Sequence, residues 1–105
     1  MASHKDFLDY VLGQLAGLRD VKYRAMMGEY VIYYRDKVVG GIYDDRFLVK
    51  PTRSALAMMP DAKRELPYEG AKEMLLVDVD NMALMTELLK AVYEELPAPK
   101  KKRQT

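Results

Sequence analysis

Few side chains in this sequence are suited to catalysis, and they are scattered. His4 is the single histidine, and no nucleophile is set beside it in a recognisable pattern. Ser3 and Ser54 are the two serines, and both stand where a helix N-cap is expected. A Ser–His–Asp arrangement is therefore not expected, and we predict that the protein is not an enzyme and has no catalytic residues.

Two acidic pairs, Asp44-Asp45 and Asp78-x-Asp80, carry oxygen atoms of the kind that bind divalent cations. Turn chemistry explains the first pair and helix capping explains the second. Neither belongs to the spaced acidic series of a calcium loop. The chain has no cysteine, which excludes thiolate zinc sites, iron–sulfur clusters and cysteine nucleophiles. We expect no metal site and no cofactor.

The basic residues are concentrated at one end of the chain. Of the 17 basic residues, 13 lie within residues 1–99 together with all 16 acidic residues, so this part has a net charge of −3. The other four are Lys100, Lys101, Lys102 and Arg103. A domain that binds duplex nucleic acid usually carries positive charge on the fold itself. The tail is a weak candidate for phosphate contact, with a solvated tail as the alternative.

Hydrophobic periodicity places these residues on a single α+β domain over residues 1–96, followed by a disordered basic tail over residues 97–105. A Ser3 cap and apolar residues at helical spacing predict a first helix over about residues 4–18. A short helix is predicted from a Thr52 or Ser54 cap to Met59. A loop over residues 61–72 and a central strand over Met74–Val79 are predicted to follow. An Asp80 or Asn81 cap predicts the last helix, whose buried stripe is Met85, Leu88, Leu89, Val92 and Leu96.

Between the helices, the pattern predicts a three-stranded antiparallel meander after an extended segment over Val21–Met27. Its strands are Tyr30–Arg35, Val38–Tyr43 and Arg46–Lys50, joined by two-residue turns at Asp36-Lys37 and Asp44-Asp45. The resulting fold is a two-layer sandwich, with an antiparallel sheet and helices at both ends of the chain. These turns predict three cross-strand pairs, which are Tyr33 with Gly40, Val31 with Ile42, and Ile42 with Phe47.

That register divides the sheet into a core face and a mixed face. The core face is predicted to carry Val31, Tyr33, Val38, Gly40, Ile42, Phe47 and Val49. The mixed face is predicted to carry Tyr30, Ile32, Tyr34, Val39, Gly41, Tyr43, Arg46, Leu48 and Lys50. A slip of one residue would exchange the two sets.

The tyrosines and cations of the mixed face form the candidate site. Tyr30, Tyr34 and Tyr43 with Arg46 and Lys50 combine aromatic surface with positive charge. Such a set can stack on single-stranded nucleic acid, or form a protein interface in which tyrosine and arginine are enriched. Otherwise a helix or loop covers the tyrosines. The methionines leave a similar choice between core filling and an adaptable surface: Met26, Met27, Met58, Met59, Met74, Met82 and Met85.

Several short motifs resemble the N-terminal domain of the TfoX/Sxy competence regulators and the stand-alone proteins that consist of that domain. The motifs are Phe7-Leu8-Asp9-Tyr10, Arg24-x-Met26-Met27-Gly28, Tyr30-x-Ile32-Tyr33-Tyr34, Lys37, Asp44-Asp45-Arg46, Lys50 and Tyr68-Glu69-Gly70. The chain departs from the family pattern at Met27, Glu29 and Val31, where the pattern has Phe, Gly and Gly. The resemblance implies a two-layer α+β sandwich without catalytic residues, related to regulators that act at promoters with a cyclic-AMP-responsive activator.

Together these features predict a non-enzymatic protein-interaction domain, related to competence or transcription, that acts through protein contacts. The expected partners are a second copy of the chain in a homodimer, through the mixed face, and a transcription-regulator protein. The alternative is a direct nucleic-acid binder that uses the basic tail and the mixed face. We find no apolar run of the ~18 residues that a membrane span needs and no signal peptide, so we expect a cytoplasmic protein without membrane contact.

Overall fold

A computed structural model of the chain describes residues 3–97 as three helices and six strands. The predicted basic tail, including Lys100 to Arg103, lies outside the described residues. The elements in chain order are α1 (Lys5–Gln14), β1 (Val21–Met26), β2 (Glu29–Tyr34), β3 (Lys37–Ile42), β4 (Phe47–Val49), α2 (Arg53–Met58), β5 (Arg64–Glu65), β6 (Met74–Leu76) and α3 (Met82–Glu95). One antiparallel sheet has the strand order β1-β2-β3-β4-β6-β5. The predicted α+β fold class is confirmed.

A single hydrophobic core lies between the helices and one face of the sheet. Buried side chains from α1, α2 and α3 meet buried side chains from β2, β3, β4 and β6 in one cluster. On the helices these are Leu8, Val11, Ala55, Met85, Leu88, Leu89 and Val92, and on the strands they are Ile32, Tyr34, Val39, Ile42, Phe47, Val49 and Leu75. All three described helices therefore cover the same face.

The helices begin at short polar caps. The Thr52 hydroxyl accepts a hydrogen bond from the Ala55 amide at 3.2 Å, and the Asn81 side chain accepts one from the Leu84 amide at 3.0 Å. Each is one of the two cap residues that the sequence predicts for its helix. At α1, however, the N-cap residue is His4, and the helix ends at Gln14 instead of about residue 18.

The other end of the chain also follows the periodic pattern closely. Four of the five predicted stripe residues of α3 are fully buried, and Leu96 is half-buried. The strand predicted near Met74 is present as β6 and lies inside the sheet, between β4 and β5. The predicted loop over residues 61–72 contains the two-residue edge strand β5.

The meander is closed by two-residue turns whose backbone is left-handed at specific positions. Met27 and Gly28 join β1 to β2 with φ of 53° and 85°, respectively. Asp44 and Asp45 join β3 to β4 with φ of 54° and 55°, and Tyr43 and Arg46 exchange backbone hydrogen bonds across them. This second turn is the one that the sequence predicts.

The turn between β2 and β3 is one residue earlier than predicted, so the predicted register there is wrong. The turn residues are Arg35 and Asp36, which makes Tyr34 the partner of Lys37. A bulge then places Ile32 opposite Gly40. The pairing of Ile42 with Phe47 between β3 and β4 is confirmed.

The physical reason for this difference is a contact with α3. The Lys37 amino group donates to the backbone carbonyls of Tyr93 at 3.0 Å and Leu96 at 2.8 Å. These carbonyls lie at the C-terminal end of α3, where the helix leaves carbonyl groups without intrahelical partners. Lys37 therefore belongs to the first position of β3 and is excluded from the turn. Arg35 takes the left-handed position with φ of 59°.

Two adjacent glycines allow close packing at the centre of the sheet. A Cβ atom at Gly40 would overlap the Leu48 carbonyl oxygen and lie 3.0 Å from Val49 Cα. A Cβ atom at Gly41 would lie 2.6 Å from the Tyr43 ring, which folds back over this glycine. The obstruction at Gly40 is backbone of the neighbouring strand and cannot move away as a side chain can.

We expect Gly40→Ala to lower the free energy of unfolding by about 2 kcal/mol, because the added methyl group pushes β3 from β4. Gly13→Ala is the matched control. Gly13 lies in α1 with no atom within 4 Å of an added Cβ, so this change should raise the free energy of unfolding by roughly 0.5 to 1 kcal/mol. Urea denaturation of both variants measures the two effects. Equal stability of the variants would contradict the proposed crowding at Gly40.

Candidate interaction surface

The face of the sheet opposite the helices is called the open face here, since no helix among residues 3–97 covers it. Alternation along the strands assigns side chains to it. Its members on the first four strands and the turn are Lys22, Arg24, Met26, Glu29, Val31, Tyr33, Val38, Tyr43, Arg46, Leu48 and Lys50. Cations and tyrosines are thus still combined there, but in a different set from the predicted one.

The five predicted contact residues are divided between the two faces. Tyr34 is only 7% exposed and packs edge-on against Tyr93 of α3, with ring centroids 5.3 Å apart. Tyr30 is half-buried and packs edge-on against Tyr23 at 5.9 Å. Their predicted place on the mixed face is wrong, because the shifted β2–β3 register turns both towards the helices. Tyr43, Arg46 and Lys50 lie on the open face, and their role in binding stays a prediction.

Arg46 is held by contacts within the fold. Its guanidinium donates to the Glu65 carboxylate at 2.5 Å, to the Tyr43 carbonyl at 3.0 Å and to the Leu66 carbonyl at 3.2 Å. These bonds fasten β5 and the following segment to the β3–β4 turn. Arg46 therefore positions the edge of the open face, and its donors point to groups of its own chain.

The segment after β5 covers part of the open face. The Tyr68 ring lies 6.1 Å from the Tyr43 ring, centroid to centroid. Burial raises the pKa of the Tyr43 hydroxyl above its ordinary value. Leu48 is fully buried although it lies outside the helix-side core. The open face is therefore sheltered at its centre and accessible towards β1.

The accessible part ends in an apolar groove of about 740 Å³ at the β1–β2 turn. Met27 is 97% exposed there, and its φ of 53° is rare for a residue with a side chain. A large apolar side chain is thus held in solvent by a strained backbone position. The residues that line the groove are Met26, Met27, Glu29, Val31, Tyr43, Pro67 and Tyr68.

Sequence reasoning missed this groove. It treated Met26 and Met27 as two of seven methionines that either fill the core or form an adaptable surface. The structure divides them: Met59 and Met85 are buried, whereas Met26, Met27 and Met82 are exposed. The signal that would have found the site is the Met27-Gly28 pair at a hairpin turn, where asparagine would be the ordinary first residue.

His4 is exposed to solvent and is also tied to the β3–β4 turn by hydrogen bonds to Asp45. Its ring is 80% exposed, but Nδ1 lies 2.6 Å from Asp45 Oδ2, and its amide donates to Oδ1 at 2.8 Å. The Ser3 hydroxyl donates to Glu29 at 2.5 Å and accepts from the Asp45 amide at 3.0 Å. No bond joins Ser3 Oγ to the His4 ring, so these groups anchor the chain and do not form an activated nucleophile.

The second acidic pair of the sequence, Asp78 and Asp80, also has structural partners. The Asp78 carboxylate accepts from the Asp80 amide, and Asp80 accepts from the Tyr10 hydroxyl at 2.6 Å. Residues 3–97 contain no cluster of three or more histidine, aspartate or glutamate side chains that would suit a metal ion. In the same residues, no helix has the length and hydropathy that a membrane crossing requires.

These features define a class, namely a small α+β domain with helices on one side of an antiparallel sheet and an accessible apolar groove on the other. Residues 13–95 match the family model of the TfoX N-terminal domain, and the chain belongs to this family. It is 32% identical to a 12.7 kDa protein from the trpE 5′ region of Spirochaeta aurantia, over 98% of this chain and 91% of that protein. No solved structure matches the chain.

Membership of this family associates the chain with competence-related regulation. The family is not one of known enzymes. The resemblance that the sequence motifs carry is thereby confirmed. Neither the family match nor the relative identifies a partner molecule.

The two faces predict different outcomes for neighbouring tyrosines of β2. We expect Tyr34→Ala to lower the free energy of unfolding by about 3 kcal/mol, since it removes a buried ring from the core. Tyr33→Ala should cost about 1 kcal/mol, because this ring is only half-buried on the open face. The shift of the urea midpoint measures both. A larger loss for Tyr33 would contradict the observed register.

The contact with Asp45 sets the titration of His4. The hydrogen bond and the charge of Asp45 raise the pKa of His4 above 6.5, and the His4 contacts lower the pKa of Asp45 below 3.8. The His4 contribution to stability is therefore full below pH 6.5 and is lost as the pH rises through the raised value. The Asp45 contribution is present above pH 3.8 and is lost as the pH falls through the lowered value.

NMR titration of the single histidine ring tests this directly. We expect a pKa above 6.5 in the wild type and a return towards 6.5 in Asp45→Asn. Asparagine is a fair replacement because it tolerates the positive φ at position 45. The same pKa in both proteins would show that the contact is absent in solution.

Proposed function

We propose that this chain is a non-enzymatic regulatory domain that acts in competence-related transcription through contacts with another protein. The observation that carries the proposal is the apolar groove at the accessible end of the open face, with Met27 exposed at its rim. Exposed apolar surface beside a concave site is typical of protein interaction sites.

The backbone at Met27 supports this reading. A residue with a side chain costs roughly 1 to 2 kcal/mol in the left-handed region, whereas glycine or asparagine occupies it with little strain. Met27 therefore lowers the stability of the turn while it presents a flexible thioether to solvent. Methionine is used at binding surfaces because it adapts to differently shaped partners. Strain that stability does not require is a reason to look for function at that position.

Charge and aromatic placement favour a protein over nucleic acid as the partner. The groove is lined mainly by apolar side chains, and its single charged member, Glu29, is acidic. Residues 1–99 have a net charge of −3. A stacking platform for bases needs several accessible rings on one surface. Tyr30 and Tyr34 face the helices, and the Tyr43 ring lies against Gly41 beside Tyr68.

A transcription-regulator protein and a second copy of the chain are the two partners proposed for this surface. Sedimentation velocity at micromolar concentrations separates them. A dimer that Met27→Asn converts to a monomer identifies the second copy as the occupant. If the wild type is a monomer, the second copy is excluded and the regulator protein is the proposed partner.

Met27→Asn is also the sharpest test of function, because stability and binding should change in opposite directions. The variant forms an Asn-Gly turn, which suits two positive φ angles, so we expect a higher melting temperature. In a host whose native copy is replaced, we expect the same change in transformation frequency and competence transcripts as in a deletion strain. Met82→Gln is the control, since Met82 is exposed on α3 outside the open face. A fully functional Met27→Asn would contradict the assigned surface.

The nucleic-acid alternative is tested by a binding titration at several salt concentrations. Phosphate contacts would give an affinity for DNA that falls steeply with salt, and that depends on Lys100 to Arg103. We expect no such binding by the chain at physiological salt. Tight, salt-dependent binding that is lost on removal of the tail would establish the alternative.

A further inference from the structure

The outer edge of β1 is free of strand pairing within residues 3–97. The Arg35 amide donates to the Asp20 carbonyl at 2.8 Å, which makes these two residues a hydrogen-bonded pair at one end of the β1–β2 ladder. Antiparallel ladders alternate between bonded and non-bonded pairs. The amides and carbonyls of Val21, Tyr23 and Ala25 therefore point away from β2, towards the free edge.

On the open side of this edge, two cations stand at alternate positions. Lys22 and Arg24 are both exposed, and neither side chain forms a hydrogen bond or ion pair with another residue of the range 3–97. Their neighbours on β2 are Tyr33 and Val31, which carry no charge. Neither cation therefore has an acidic residue directly opposite it, and Glu29, the acidic residue on this face of β2, lies opposite Met26.

On the helix side of the same edge, there is an apolar groove of about 500 Å³ between the C-terminal part of α1 and β1. Its apolar lining comes from Leu12, Leu15, Ala16, Leu18, Val21 and Tyr23, and Lys22 borders it at the edge of the strand. An added strand would place every second side chain in this groove and the others beside Lys22 and Arg24. An added strand would therefore fit best if apolar side chains, on the groove side, alternated with acidic side chains, on the side of Lys22 and Arg24.

We propose that the free edge of β1 is a strand-addition site for an extended segment of another protein in which apolar and acidic residues alternate. The backbone of such a segment would pair with Val21, Tyr23 and Ala25. Its apolar side chains would enter the groove beside α1, and its carboxylates would lie next to Lys22 and Arg24. Main-chain hydrogen bonds give affinity in this mode, and pockets for alternate side chains give specificity.

Neither a second copy nor the tail of the same chain has the required charge. If two β1 strands paired about a two-fold axis, cross-strand partners would share a face, so Lys22 would lie opposite Arg24 or each Arg24 opposite the other. Like charges directly opposite one another destabilise a sheet, and cations on edge strands discourage self-pairing. The tail carries Lys100 to Arg103 and is repelled in the same way.

The inference shares with the proposed function only the class of partner, which is a protein. The groove at Met27 and the edge of β1 are separate surfaces, so each can fail alone. Met27→Asn should leave strand addition unchanged, and variants of the edge should leave the Met27 turn unchanged.

The experiment uses the full 105-residue chain and a capped eight-residue peptide in which valine and glutamate alternate. We expect binding that shifts the NMR signals of Val21, Tyr23 and Ala25. Hydrogen exchange of the Tyr23 and Ala25 backbone amides should slow at least tenfold on binding, because these amides gain hydrogen-bond acceptors from the peptide. A peptide with the same composition but four valines followed by four glutamates should bind at least tenfold more weakly.

A variant in which the charges of Lys22 and Arg24 are reversed is the matched control for the peptide's charge. Lys22→Glu combined with Arg24→Glu should weaken binding of the valine–glutamate peptide at least tenfold and favour a valine–lysine peptide instead. Ala25→Pro is the second variant. It removes an amide that points outwards, so the β1–β2 ladder stays intact while strand addition is blocked. Circular dichroism checks the fold of both.

Five results would overturn the proposal. The first is equal binding of the alternating and block peptides, and the second is a peptide preference that does not follow the charge reversal. The third is no binding of the alternating peptide at millimolar concentration. Signal shifts confined to Met27 and Tyr68 would assign the peptide to the open-face groove and would also contradict it. Self-association that Ala25→Pro abolishes would make a second copy the occupant.

Discussion

The pairing of β2 with β3 determines which side chains of the sheet meet the helices. The Lys37 amino group binds the carbonyls of Tyr93 and Leu96 and so belongs to β3. With Lys37 in the strand, Ile32 and Tyr34 turn towards the core. Neighbouring residues of a strand face opposite sides of the sheet. The contact of Lys37 with the end of α3 therefore also determines which side chains of β2 lie on the open face.

The elements with strong local patterns could be predicted from the sequence. The stripe of α3, the caps at Thr52 and Asn81 and the Asp44-Asp45 turn all depend on residues that are near one another in the chain. The Arg35-Asp36 turn could not be predicted, because Asp36-Lys37 is an equally good local turn. The contact that decides between them joins Lys37 to residues 56 and 59 positions later.

The candidate site was less accessible to sequence reasoning than the fold. Of the predicted contact residues, Tyr43, Arg46 and Lys50 lie on the open face, but the two tyrosines of β2 were assigned to the wrong face. The exposure of Met27 depends on a backbone angle, and the groove beside it depends on Tyr68, which is 41 residues away in the chain. The local sequence around Met27 therefore predicts neither its exposure nor the groove beside it. Family membership describes the class of regulator, and the geometry indicates where a partner would bind.

The anchoring of Ser3 places residue 3 and residue 96 at opposite ends of the sheet. Ser3 is bonded to Gly28 and Asp45, so the chain enters at the end of the sheet that carries the Met27 turn. It leaves beside Leu96, which Lys37 holds at the other end, about 20 Å away along a six-residue strand. A fluorescent label or fusion partner attached before residue 3 would crowd the Met27 groove. The same group attached after residue 97 would be joined at the other end of the sheet and would leave the Met27 groove accessible.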